Sequence, residues 1–145
     1  MGNSNSNTLN ITEIFFSLQG EAKEVGLPTV FVRLTGCPLR CNYCDTAYAF
    51  KGNNPLTIDH ILNEVSKYNT PYICVTGGEP MAQRNCLDLL DKLVEAGFKV
   101  SMETSGSIDI TPVNSKVSIV MGMKTPSSTE ETQNRYENLS LLKSK

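Results

Sequence analysis

Histidine occurs once in the chain, at position 60, so no H-x3-5-H knuckle can form. No apolar run approaches the roughly 20 residues that a membrane-spanning helix requires. Basic tracts are missing too, and with a net charge of −2 nothing points to nucleic acid as a direct partner. The first ten residues are polar, without the apolar stretch of a secretory signal. Five cysteines, an odd number, without an export signal point to a reducing compartment in which thiols are kept for metal. The expectation is a cytoplasmic enzyme with no membrane contact. At 145 residues the chain makes one domain, long enough for a real core but small for a complete barrel.

What the chain does have is concentrated in Gly-Cys-Pro-Leu-Arg-Cys-Asn-Tyr-Cys-Asp-Thr, residues 36–46. Cys37, Cys41 and Cys44 form a C-x3-C-x2-C triplet, and three thiolates within eight residues converge on one inorganic centre only if the backbone curls around it. Gly36 permits positive φ and Pro38 presets a turn. Four irons held by three cysteines leave one iron without a protein ligand, whereas electron carriers use four. Catalytic metal sites keep such a position and structural sites close it. Structural zinc would require a fourth ligand from a second knuckle. None exists: His60 lies sixteen residues beyond Cys44, and Cys74 and Cys86 sit in apolar surroundings that suit small core residues. A disulfide within the triplet is disfavoured by the reducing context. The spacing resembles the radical S-adenosylmethionine (SAM) enzymes, in which the methionine part of SAM occupies the open iron.

In chain order, residues 1–10 are Asn/Ser-rich and expected to form a disordered leader, with residues 11–145 as the core domain. The opening Met-Gly-Asn-Ser-Asn-Ser fits the N-myristoylation pattern, but the same letters suit a polar leader, which is the reading adopted. Strands are expected over residues 11–18, 29–35, 72–76, 98–103 and 117–121. The second strand is apolar on both faces apart from Arg33. A buried guanidinium requires an acidic partner: either a protein carboxylate or a substrate carboxylate gripped by two prongs. The sequence leaves these open. Residues 51–55 read as a polar connection. Thr57 reads as an N-cap for a helix of about three turns whose stripe is Ile58, Ile61, Leu62 and Val65, leaving His60 solvated. Cys86, Leu89, Leu90, Leu93 and Val94 mark a second helix ending at Gly97, and a weak helix carries Tyr136, Leu139, Leu141 and Leu142. Gly77 and Gly78, at a strand's carboxyl end, suit close approach of a ligand to bare backbone.

The order β-β-α-β-α-β-β predicts an α/β fold: a mainly parallel sheet with outer helices, part of a (β/α) barrel. Chemistry in such folds gathers at the carboxyl ends of the strands. Polar or glycine-rich segments follow each strand, at 19–21, 36–46, 77–79, 104–106 and 124–128, so one mouth is expected to collect them.

Beyond the triplet, Ser17-Leu18-Gln19-Gly20-Glu21, the segment 31–36, Cys44-Asp45-Thr46, Thr76-Gly77-Gly78-Glu79-Pro80, Glu103-Thr104-Ser105-Gly106 and Lys124-Thr125-Pro126-Ser127-Ser128 together resemble the 7-carboxy-7-deazaguanine synthase family over residues 11–128. The resemblance implies a radical SAM type of partial barrel. The implied activity is a lyase that converts 6-carboxy-5,6,7,8-tetrahydropterin into 7-carboxy-7-deazaguanine and ammonia, on the way to queuosine and archaeosine. It implies a [4Fe–4S] cluster on Cys37, Cys41 and Cys44, SAM regenerated as a cofactor, and Mg²⁺ at Thr46. Leu18, Gln19, Gly20, Arg33 and Thr76 would meet the pterin. Tyr43, Cys44, Asp45, Gly78, Ser105, Gly122, Met123 and Lys124 would lie along SAM, with the chemistry carried by the cofactor rather than by an acid–base pair. A flavodoxin or ferredoxin as electron donor and a homodimer are further implications. Many relatives carry a polar residue where Gly122 stands, and the family continues past residue 145, so a C-terminal part of the family fold is expected to be missing. The alternatives are a small activase for a glycyl-radical enzyme, such as anaerobic ribonucleotide reductase, and a non-catalytic metal-binding module.

Overall fold

In strand β2 (Pro28–Leu34), Val30, Val32 and Leu34 alternate with Phe31 and Arg33, and successive side chains in a strand point to opposite faces. The computed structural model, which describes residues 7–142, carries that alternation across a six-stranded sheet. The strands are β1 (Thr8–Leu18), β2, β3 (Pro55–Thr57), β4 (Tyr72–Gly77), β5 (Lys99–Thr104) and β6 (Ser118–Met121), in the spatial order β3-β1-β2-β4-β5-β6. The ladders β2–β4, β4–β5 and β5–β6 are parallel, whereas β1 runs antiparallel to β2 and β3. Helices α1 (Ile58–Val65) and α2 (Cys86–Glu95) bury Ile58, Ile61, Val65, Cys86, Leu89, Leu90 and Leu93 against Val30, Val32, Leu34, Ile73, Val75, Val100 and Met102. Full burial of each such aliphatic side chain contributes roughly 1.5–3 kcal/mol, so this face supplies the core. The opposite face is left for the chemistry.

The helix ends follow their residues. The Thr57 hydroxyl accepts from the His60 N–H at 3.1 Å, as expected of an N-cap. Gly97, at φ +90°, closes α2: its N–H reaches the Val94 carbonyl while that of Phe98 reaches Leu93, a Schellman arrangement. His60 is exposed, with Glu64 at 3.7 Å.

Four expectations change. Residues 8–10 are strand rather than leader, pairing with 55–57, because Leu9 (1% exposed) continues the apolar period of Ile11 into the core. Residues 1–6, with the myristoylation pattern, lie outside the described residues. The connection at 51–55 ends in β3, whose leading proline is tolerated at a strand's first residue. Finally, α1 has eight residues, little more than two turns, and the tail forms a 3-10 helix, Tyr136–Leu141, rather than an α-helix.

Candidate active site

Parallel order sends the carboxyl ends of β2, β4, β5 and β6 the same way, and the loops leaving them enclose a pocket of about 560 Å³. Its floor is one row across the sheet. Arg33 pairs with Thr76, and Glu103 with Val120. Stepping on from Val75↔Met102 sets Thr76 beside Glu103, whose carboxylate accepts from the Thr76 hydroxyl at 2.8 Å.

The wall is the cysteine loop. Cys37, Cys41 and Cys44 are half-buried and unbonded to one another. All three line the pocket, with Tyr43, Asp45 and Thr46. Burial is the main cause that pushes the Cys37 thiol up, with Glu79 adding to it. Among the described residues no three His, Cys, Asp or Glu side chains are grouped so as to hold a single metal ion. The loop is fixed from outside by the Arg40 guanidinium, which donates to the Cys37 and Leu39 carbonyls at 2.6 Å each and stacks on Phe50 at 4.3 Å.

Gly77 and Gly78 line the pocket, and Gly78 also lies against the cysteine loop. A Cβ there would lie 2.3 Å from the Gly36 carbonyl oxygen and 2.7 Å from Cys37 Cβ. The neighbour needing the bare backbone is the chain's own cysteine loop. Gly77, at φ +149°, is equally closed by Leu34.

Of the remaining residues singled out in the sequence, Ser105, Gly122 and Lys124 line the pocket, and Thr46 donates to Asp45 Oδ1 at 2.7 Å. A Cβ at Gly122 would meet nothing closer than 3.8 Å. Met123 lies between two lining residues. Leu18 is 63% exposed and Gly20 has nothing within 4 Å of a Cβ position, so neither contributes to the pocket wall. Gln19 reaches the site by an unforeseen path. Because β1 opposes β2, residues 19–21 leave the sheet at the end away from the mouth. The turn then comes back, so that Glu21 lines the pocket and Gln19 Nε2 donates to Glu103 Oε1 at 3.3 Å.

Arg33 carries an ion pair with Glu13, Nε to Oε1 at 2.8 Å. Sequence reasoning missed three carboxylates here: Glu13, Glu79 and Glu103. For Glu103 there was a signal, an acid at the carboxyl end of an apolar strand. Cys74 and Cys86 are fully buried, and burial pushes each up to about 12. Iodoacetamide at about pH 8 should therefore modify only the three triplet thiols of the folded, cluster-free chain; mass spectrometry finding a fourth adduct before unfolding would contradict this.

Residues 31–127 match the radical SAM superfamily. The chain is 43% identical to the 7-carboxy-7-deazaguanine synthase of Koribacter versatilis, over 92% of this chain and 60% of that protein. It is 39% identical to the synthase of Methanospirillum hungatei, over 94% and 57%. The chain thus spans about 60% of the length of these curated relatives. The crystal structure of QueE from Escherichia coli superposes with a TM-score of 0.74 at 22% identity, covering 92% of this chain and 74% of that one; at that identity it speaks for the fold.

Proposed function

The chain belongs to the radical SAM superfamily, and on that premise we propose that it is the catalytic core of a 7-carboxy-7-deazaguanine synthase. The reading rests on one observation: three thiols, none of them in a disulfide, share a pocket with a guanidinium, Arg33, and with an oxygen pair, Asp45 and Thr46.

Cys37, Cys41 and Cys44 would hold the [4Fe–4S] cluster, and their half-buried, unpaired state fits that task. Bound there, the cluster and SAM would supply radical chemistry for hydrogen abstraction. The protein's part is to hold and orient. Arg33 would grip the substrate carboxylate. Thr46 would contribute to an all-oxygen Mg²⁺ site, completed by substrate and water, as a hard cation requires. Gln19, Thr76 and Glu103 form a hydrogen-bonded set able to meet the polar edge of a pterin, and Leu18 and Gly20 would meet the pterin beside Gln19. Tyr43, Asp45, Gly78, Ser105, Gly122, Met123 and Lys124 would lie along SAM. A flavodoxin-like or ferredoxin-like electron donor, a homodimer and a cytoplasmic location belong to the same reading. Among the described residues no helix is long and apolar enough to cross a membrane.

The test is an anaerobic assay with 6-carboxytetrahydropterin, SAM, a reductant and Mg²⁺. The expected result is 7-carboxy-7-deazaguanine and ammonia in equal amounts. SAM cleavage without pterin conversion, accompanied by radical formation on an added anaerobic reductase, would favour an activase instead.

A further inference from the structure

Ile11 and Glu13 stand two residues apart, so a regular strand would put them on one face. They are on opposite faces. Ile11 pairs with Leu34 and is buried in the core, while Glu13 pairs with Arg33 on the pocket side, because a β-bulge intervenes between them. A bulge re-aims a side chain at a loss of regular pairing, and bulges gather beside active sites. This one delivers a carboxylate to a single edge of Arg33: Glu13 Oε1 accepts from Nε at 2.8 Å.

The same oxygen accepts from the Tyr48 hydroxyl at 2.7 Å. Tyr48 lies two residues beyond Thr46, so the loop that supplies the pocket wall also grips Glu13. The guanidinium lies over two rings, 5.6 Å from the Phe15 centroid and 5.8 Å from that of Tyr48. Its side chain is 17% exposed, and among the described residues its two Nη groups have no acceptor. A carboxylate can engage a guanidinium along the Nε edge or across the paired Nη groups. Glu13 has taken the first.

We propose that Glu13 and Tyr48 are positioning residues for Arg33, which by holding its Nε edge oblige a carboxylated ligand to bind end-on across Nη1 and Nη2. This rests on the reading of the pocket as a site for a carboxylated pterin. An arginine side chain left free has rotamer entropy to lose on binding, and the Glu13 bond together with the two rings removes much of that freedom beforehand. Against this stands charge: Glu13 also neutralises Arg33, so deleting it could tighten binding. The conservative variant separates the two effects. In Glu13→Gln the amide oxygen still accepts from both donors but the charge is gone, whereas Glu13→Ala loses the hold as well.

The experiment uses the anaerobically reconstituted protein and two fluorescent probes, 6-carboxypterin and pterin without the carboxylate. Positioning requires that Glu13→Ala weaken 6-carboxypterin binding about tenfold, that Glu13→Gln bind at least as tightly as the parent, that Tyr48→Phe fall between, and that the carboxylate-free probe respond to none of them. Unchanged or tighter binding by Glu13→Ala overturns the proposal, and so does an equal loss for both probes. A ligand-free measurement keeps the two readings apart: the Arg33 Nε–H resonance should exchange slowly in the parent and Glu13→Gln and be lost in Glu13→Ala. If the parent does not distinguish the two probes, the pterin reading fails, while the resonance still supports or overturns the role of Glu13.

Discussion

Cys41→Ala is expected to leave a folded chain that no longer assembles a four-iron cluster. The thiol is half-buried and forms no disulfide, so its removal opens no core cavity. The loop around it is anchored by other groups. The Arg40 guanidinium ties the Cys37 and Leu39 carbonyls, the Arg40 N–H donates to Glu130, and the Asn42 N–H reaches the Ser128 carbonyl at 3.1 Å. None of these passes through the Cys41 side chain. A cubane already short of one protein ligand would keep only two, and its affinity comes from the thiolates. Iron and acid-labile sulfide per chain should fall at least tenfold after anaerobic reconstitution, while the melting temperature of the metal-free protein stays within about 2 °C. Cys86→Ala should do the reverse, keeping the cluster but costing about 1 kcal/mol for the space left in the core. Retention of iron in Cys41→Ala would remove that residue from the ligand set.

The contrast between these cysteines was readable from the chain, since it depends on near neighbours: a turn-rich loop for one group, apolar periodicity for the other. The start of α1 and the end of α2 were readable for the same reason, with Thr57 and Gly97 both acting within one turn of themselves. What failed to show is non-local. Whether a strand runs with or against its neighbour is set by pairing partners far away in sequence. The return of Gln19 to Glu103, 84 residues distant, therefore could not be inferred from residues 11–21. The bulge at Thr12 was hidden in the same way, because a run such as Ile-Thr-Glu-Ile-Phe-Phe carries no fixed parity until Leu34 and Arg33 take their places opposite it. Polar letters concealed Thr8–Asn10 and β3, two short segments that each make a strand only by pairing with the other. The glycine pair was legible as a close approach but not as to what approaches.

Glu79 sits one residue beyond that pair, and its replacement carries the largest stability effect expected in the fold. It is fully buried, and every hydrogen bond of its carboxylate comes from a donor. Oε1 accepts from the Met81 N–H at 3.1 Å and the Thr104 hydroxyl at 2.8 Å; Oε2 accepts from the Ser105 N–H at 2.8 Å and the Ser105 hydroxyl at 2.5 Å. One carboxylate therefore fastens the end of β4 to the end of β5, while its own N–H donates to the Gly36 carbonyl at 2.9 Å. A hydrogen bond to a charged group contributes about 1.5–3 kcal/mol, and a buried donor left unpaired costs about 1–3 kcal/mol. Glu79→Ala should accordingly lose about 4 kcal/mol, near the upper end for single substitutions. Glu79→Gln tests the cause. It fills the same space, yet whichever way the amide turns, its NH₂ faces a backbone N–H, that of Met81 or of Ser105. A loss of about 2 kcal/mol in urea unfolding is expected for the isostere. If Glu79→Gln instead unfolds within about 0.5 kcal/mol of the parent, the brace between the two strand ends is held by packing and not by the carboxylate. With the brace released in Glu79→Ala, the gap between Gly78 and Ser105 is no longer fixed, so SAM affinity should fall more steeply than cluster content.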